Sequence, residues 1–142
     1  MAELHPQLQK DCLLLGQFEL CKLLLMNDAN YPWFILVPDR QGITEIYQLT
    51  EQEQQQLMRE SSIMARLLVR EFHAEKVNIA ALGNIVPQLH LHHIGRYHAD
   101  PAWPAPVWGV CVAQAYDDEA LQVLIDKTLE ALRGQSGFIA AG

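Results

Sequence analysis

The stretch Leu82–Arg96, LGNIVPQLHLHHIGR, constrains this chain more than any other part of it. Successive side chains of an extended strand point to opposite faces, so Gln88, His90, His92 and Ile94 share one face. Leu89, Leu91 and His93 take the other. One face carries chemistry and the other carries core.

Two imidazoles on one strand face lie within reach of a single small ligand, and imidazole suits nucleophilic, acid–base or metal work near neutral pH. Three readings follow for His90 and His92. They are hydrogen-bonded strand residues without a ligand, two ligands of a metal site, or the centre of phosphoryl chemistry. Gly83 and Asn84 favour the last, because a flexible backbone beside an amide side chain can contact phosphate oxygens. His93, among leucines, reads as a structural histidine, and His5, His73 and His98 carry no pattern.

Elsewhere the chain alternates short apolar runs with turn signals. Residues 1–17 form an N-terminal segment in which Pro6 to about Leu15 predicts a short helix stopped by Gly16. Phe18–Met26 and Trp33–Val37 predict a strand hairpin across the Asn27–Asn30 turn, and Ile43–Tyr47 a short strand in a polar connection. Thr50-Glu51-Gln52-Glu53 has the form of a capping box. Leu57, Ser61, Met64, Leu68 and Phe72 follow on one helical stripe facing a sheet. Lys76–Leu82 predicts the strand that pairs with the histidine strand through the Gly83–Pro87 turn.

Pro101, Pro104 and Pro106 then fix an extended path whose Trp103 and Trp108 cap the core, line a ligand pocket or meet a second subunit. Asp117–Leu132 predicts an amphipathic helix stopped by Gly134, and residues 134–142 a loose tail. The expectation is one α+β domain over residues 1–142, with an antiparallel sheet of about five strands, a long helix packed on it and a C-terminal helix.

Composition removes several functional classes. A formal charge of −7 opposes a broad nucleic-acid surface, which draws its affinity from Lys and Arg on phosphate. A pocket for a small anion stays open, since backbone N–H groups and amides bind phosphate locally. Cys12, Cys21 and Cys111 show no C-x-x-C pairing, which predicts neither disulfides nor a zinc knuckle and suits a reducing cytoplasm. No secretion signal and no run of some 18 apolar residues is present, so no membrane partner is expected.

Gly-Asn-x-x-x-Gln-φ-His-φ-His-x-φ-x-Arg resembles the signature of the HIT (histidine triad) superfamily of nucleotidyl hydrolases and transferases. NDANYPWFILVP and DPAWPAPVWG extend the resemblance from about Phe18 to Val110, toward a bacterial HIT-like branch. Matching Arg96 to the family's arginine puts His90 on the middle, nucleophilic histidine and His92 on the third. Gln88 stands where the first triad histidine would be, and Trp33 where an upstream strand usually carries another. The resemblance also implies substrate-binding roles for Asn84 near the phosphate, for Asn78 and Gln88, and for Asn27 or Asp28 at the ribose. Asn27 and Asp28 equally suit turn chemistry.

What the resemblance implies is cleavage or transfer at the α-phosphate of a small nucleotide conjugate, such as a dinucleoside polyphosphate or a nucleoside phosphoramidate, through a nucleotidyl-histidine intermediate. His90 would be the nucleophile and His92 would stabilise phosphoryl charge or protonate the leaving group. No metal is needed to make the nucleophile, although magnesium can arrive with the substrate's phosphates. A homodimer is implied as well. Gln88 cannot titrate, which leaves a nucleotide-binding regulator as the alternative and a His-x-His metal enzyme as the third.

Overall fold

The computed structural model describes residues 1–142. Apolar runs at Cys12–Gln17 (β1), Cys21–Met26 (β2), Trp33–Pro38 (β3) and Leu91–Arg96 (β5) join Lys76–Ala80 (β4) and Ile139–Ala140 (β6) in one sheet. Its order is β4-β5-β3-β2-β1-β6, and every neighbouring pair is antiparallel. The fold is α+β, as the sequence predicts, with six strands rather than about five.

Helix α2, Glu51–Phe72, lies across one face of the sheet, and its start is the predicted capping box. The Thr50 side chain accepts from the Glu53 N–H, and the Glu53 carboxylate accepts from the Thr50 N–H. Each side chain satisfies a backbone donor that the first helical turn would leave orphaned. Leu57, Ser61, Met64 and Leu68 are buried on the predicted stripe. Leu57, Met64 and Leu68 pack with Leu23, Leu25, Phe34 and Leu36 of the sheet and with Leu124 and Leu132 of α3, Asp118–Leu132. Burying such a leucine against its exposed state is worth about 1.5–3 kcal/mol, which commits this face to core.

The opposite face has its own, smaller cluster. Leu24, Trp33, Ile35, Val37 and Ile94 are covered by Leu8 of α1, Pro6–Asp11, and by Val86, Ala102 and Val107 from the flanking loops. One short helix and the flanking loops, rather than a long helix, cover this side.

Three expectations are corrected. The first helix ends at Asp11 rather than near Leu15, because Cys12–Gln17 gains ladder bonds with β2. Leu14 is exposed and Leu15 buried, a change of face that three consecutive leucines do not announce in the sequence. Ile43–Tyr47 is no strand: Gln48 folds back so that its side-chain oxygen accepts from the Thr44 and Glu45 N–H groups, and Ile46–Gln48 forms a 3₁₀ turn. The predicted loose tail closes the sheet. Ile139 and Ala140 pair with Gln17 and Gly16, and the Phe138 ring sits 4.9 Å from that of Phe18. Gly16 makes room for Phe138, whose ring atoms would lie 2.5 Å from a Cβ built at that position.

No helix is long and apolar enough to cross a membrane. Cys12, Cys21 and Cys111 are free thiols.

Candidate active site

Strand register determines which side chains meet around the histidines. His92 stands opposite Ile35 on β3 and Ala80 on β4, while Ile94 lies between Trp33 and Asn78. Directly paired residues share a face, so Trp33, Asn78 and His92 all lie on the side away from α2. His93 points the other way, fully buried, with its Nε2 2.7 Å from the Ser61 hydroxyl of α2. Burial pushes its pKa down to about 4. It is the structural residue that its leucine neighbours predict.

β5 begins at Leu91, so Gln88–His90 lie ahead of the ladder instead of within the predicted strand. The N–H of Leu89 donates to the Ile43 carbonyl there. Gly83, at φ +72°, makes the turn into this segment in the left-handed region that favours glycine. The rings of His90 and His92 nevertheless meet, edge to face, with centroids 4.9 Å apart.

His90 has its Nδ1 2.7 Å from the Gln88 carbonyl oxygen. A carbonyl only accepts, so Nδ1 carries the hydrogen and Nε2 is left with a bare lone pair. His92 is held from its other side: the Trp33 indole Nε1–H donates to His92 Nδ1 at 3.0 Å. Desolvation pushes the His92 pKa down to about 3, with the neighbouring His90 and His93 charges adding to the effect. Both residues are buried, His90 at 7% and His92 at 5% exposure.

Gln88, in the expected triad position, spends its amide elsewhere. Its Oε1 accepts from the His5 N–H at 2.8 Å and its Nε2 donates to the Glu3 carbonyl at 3.0 Å. An amide supplies one acceptor and one donor to an extended backbone, and here it fastens the segment leading into α1 beside the site. The Gln88 side chain therefore works as a clamp, while its backbone carbonyl orients His90.

Asn78 reaches the site through Arg96. Its Oδ1 accepts from the Arg96 guanidinium at 2.7 Å. That guanidinium also donates twice to the Asp100 carboxylate and once to the Ala105 carbonyl, and lies 5.5 and 5.7 Å from the Trp103 and Tyr31 ring centres. Burial alone pushes the Asp100 carboxyl up, but hydrogen bonds from Arg96 and from the Tyr97, Ala102 and Trp103 N–H groups outweigh it and hold the pKa near 2. The network ties down the proline-rich segment, whose Trp108 ring packs edge-on 5.0 Å from His92 and 5.8 Å from Trp33.

Beyond these tryptophans opens a cleft of about 380 Å³, lined among others by Lys10, Asn27, Asp28, Trp33, Trp108 and Cys111. Asp28 is buried, and its Oδ1 accepts from the Asn30 N–H, the Asn30 amide and the Gln114 N–H. Its Oδ2 has no protein partner. Asn27 accepts from the Tyr116 N–H through Oδ1. Both residues thus perform turn and tethering chemistry at the cleft wall, as one of their two readings expects. Asn84 is exposed and makes no hydrogen bond within the chain.

No group of three or more His, Cys, Asp or Glu side chains stands where it could share a metal ion. Sequence reasoning missed Trp33 as a partner of His92, Lys10 and Cys111 as cleft residues, and Asp100 as the anchor of Arg96. Two signals were available: the alternation within WFILVP that sets Trp33 and Ile35 on one face, and the four-residue spacing of Arg96 and Asp100.

The family profile described as "HIT domain" matches residues 7–99. A histidine triad protein from Marinobacter aquaeolei VT8 has a similar crystal structure, with 47% identity and TM-score 0.92 over 96% of this chain and 99% of that one. One from Bradyrhizobium japonicum shares 46% identity with TM-score 0.89, covering 91% of this chain and 96% of its own. A third, from Sinorhizobium meliloti 1021, shares 42% identity with TM-score 0.89 over 92% and 96%. No curated protein matches the chain.

Proposed function

This chain belongs to the HIT domain family, and on that premise we propose that it hydrolyses or transfers at the α-phosphate of a small nucleotide conjugate. Family membership supports the broader class, a nucleotide-binding function of hydrolase type. The observation that carries the finer reading is the bond from His90 Nδ1 to the Gln88 carbonyl, because it leaves Nε2 as a nucleophile already in its attacking tautomer.

In the proposed reaction, His90 Nε2 forms a bond to the α-phosphorus while the bond from phosphorus to the leaving group breaks. The leaving group keeps the electron pair. Water then attacks the phosphorus of the nucleotidyl-histidine, the phosphorus–nitrogen bond breaks with its electron pair returning to Nε2, and the proton that water loses passes to solvent as the nucleoside monophosphate leaves. His92 donates to the phosphoryl oxygens, Asn84 and the backbone around Gln88 help to hold them, and the free Oδ2 of Asp28 suits a ribose hydroxyl. Asn27 and Asn78 contribute through the segments they fasten. Losing one such oxyanion donor typically costs about 3–4 kcal/mol of barrier. No cofactor enters the proposal, though magnesium can accompany the phosphates.

The test is incubation of the purified protein with diadenosine polyphosphate and adenosine phosphoramidate. AMP release from either, lost in His90→Ala, together with an adenylyl adduct on His90 in intact-mass spectra, is the expected result. A second reading, a nucleotide-binding regulator, is favoured by the fixed, non-titrating bonds of Gln88 and Trp33. It is distinguished by calorimetric AMP binding with no release and no adduct. The proposal includes a cytoplasmic homodimer, checked by light scattering and fractionation. Ile79 on β4 and Leu82 and Ile85 beyond it give that sheet edge an exposed apolar character suited to a subunit contact.

A further inference from the structure

We propose that Trp33 is a positioning residue that holds His92 as the neutral Nε2–H tautomer, so that His92 serves only as a fixed hydrogen-bond donor and the site favours substrates whose leaving group departs without a proton. The substrate half rests on the α-phosphate reading. The tautomer half stands on geometry alone.

Indole Nε1 can only donate, so the lone pair facing it must be that of His92 Nδ1, 3.0 Å away. The single hydrogen of the neutral ring then sits on Nε2. Adding a second at Nδ1 would turn two N–H groups against each other inside a buried contact. Nothing around the ring rewards that addition. β3 presents Trp33 and Ile35, β4 presents Ala80, the preceding segment presents His90, and the proline-rich segment presents Trp108. His93 faces the other side of the sheet, and no carboxylate makes an ion pair with His92. Lys10 and Asp11 line the cleft that Trp33 and Trp108 wall. Burial acts in the same direction, pushing the His92 pKa down to about 3.

The chemical consequence concerns the leaving group. A neutral imidazole N–H stabilises an anionic oxygen but does not protonate an amine at neutral pH. When the bond between phosphorus and a bridging oxygen of a phosphoanhydride breaks, the departing phosphate carries the electron pair stably and needs no proton. When the phosphorus–nitrogen bond of a phosphoramidate breaks, the nitrogen must be protonated, and Trp33 has removed the nearby acid. Positioned general acids contribute about 10²–10⁴-fold in rate.

The experiment combines ¹⁵N–¹H long-range spectra of the histidine rings with the ratio of kcat/KM for diadenosine polyphosphate over adenosine phosphoramidate. The wild type is expected to show His92 with a bare Nδ1 and a protonated Nε2, without titration between about pH 5 and 8. The anhydride should be favoured by on the order of 10²-fold. Trp33→Phe keeps the aromatic packing and removes the donor. It should lose the single-tautomer signature and narrow that ratio. A wild-type His92 that titrates in this range, or that carries its hydrogen on Nδ1, overturns the proposal whether or not the variant folds. A locked ring with equal rates on both substrates overturns its substrate half. A locked ring with no AMP from either substrate upholds the tautomer and counts against the α-phosphate reading instead.

Discussion

Arg96 and Asp100, one turn of chain apart and each almost wholly buried, meet through Nε–Oδ2 at 2.8 Å and a second nitrogen–oxygen bond at 3.1 Å. The pair fastens the end of the histidine strand to the proline-rich segment that carries Trp108 onto His92. Breaking a buried pair by removing one member leaves a charge without compensation and typically costs about 3–5 kcal/mol. Arg96→Met and Asp100→Asn should each destabilise by that order in urea titrations. They should also shift tryptophan fluorescence, since Trp103 and Trp108 lose their anchor. Loss of under about 1 kcal/mol would show that the pair is dispensable.

The Gln88 clamp yields a milder expectation. Gln88→Ala removes one donor and one acceptor from a partly exposed backbone, which water can replace, so about 1–2 kcal/mol is expected. The loss is local: limited proteolysis should cut within residues 2–5 faster than in the wild type, while cleavage elsewhere is unchanged. Unaltered cutting there would mean that the N-terminal segment is held by its other contacts, Asp39 and Lys22.

Acidification should weaken the fold through two histidines. The folded pKa values of His92 and His93, about 3 and about 4, lie below the ordinary value of roughly 6.5. The unfolded chain therefore binds more protons between those limits, and stability falls as pH drops below about 6.5 and is unaffected above it. Each uncharged buried histidine can cost up to about 1.4 kcal/mol per pH unit below about 6.5, so the two together should lose roughly 3–4 kcal/mol between pH 7 and 5. Asp100 acts in a separate window: its depressed pKa stabilises the fold above about 4, and that contribution is lost only toward pH 2. Equal denaturation free energies at pH 7 and 5 would contradict the histidine assignment.

Gly16→Val tests the closing strand. Its Cβ would lie 2.5 Å from Phe138 and 2.6 Å from the Ile139 carbonyl, so β6 must move away. Overpacking of this kind costs about 1–3 kcal/mol. Amide exchange at Ala141, whose N–H donates to the Leu15 carbonyl, should accelerate strongly. The histidine site should be unaffected, since β1, β2 and β3 separate β6 from β5.

Local chemistry by itself determined a large part of this protein. Thr50 and Glu53 satisfy each other's neighbouring N–H groups, so α2 begins where its residues dictate. The alternation of leucine with histidine puts His92 and His93 on opposite faces because a strand repeats every two residues. The bond from His90 to Gln88 spans two residues and is equally local. Pairings distant in sequence are different, because nothing near Gly16 announces Phe138 and nothing near Gln88 announces the backbone of Glu3 and His5. Trp33 and His92 meet only because antiparallel register sets β3 beside β5. The triad-like spacing was therefore readable, whereas the proton positions on His92, the work of Gln88 and the closing of the sheet belong to tertiary structure. Those depend on which donor faces which lone pair across strands, and one-dimensional spacing does not contain that information.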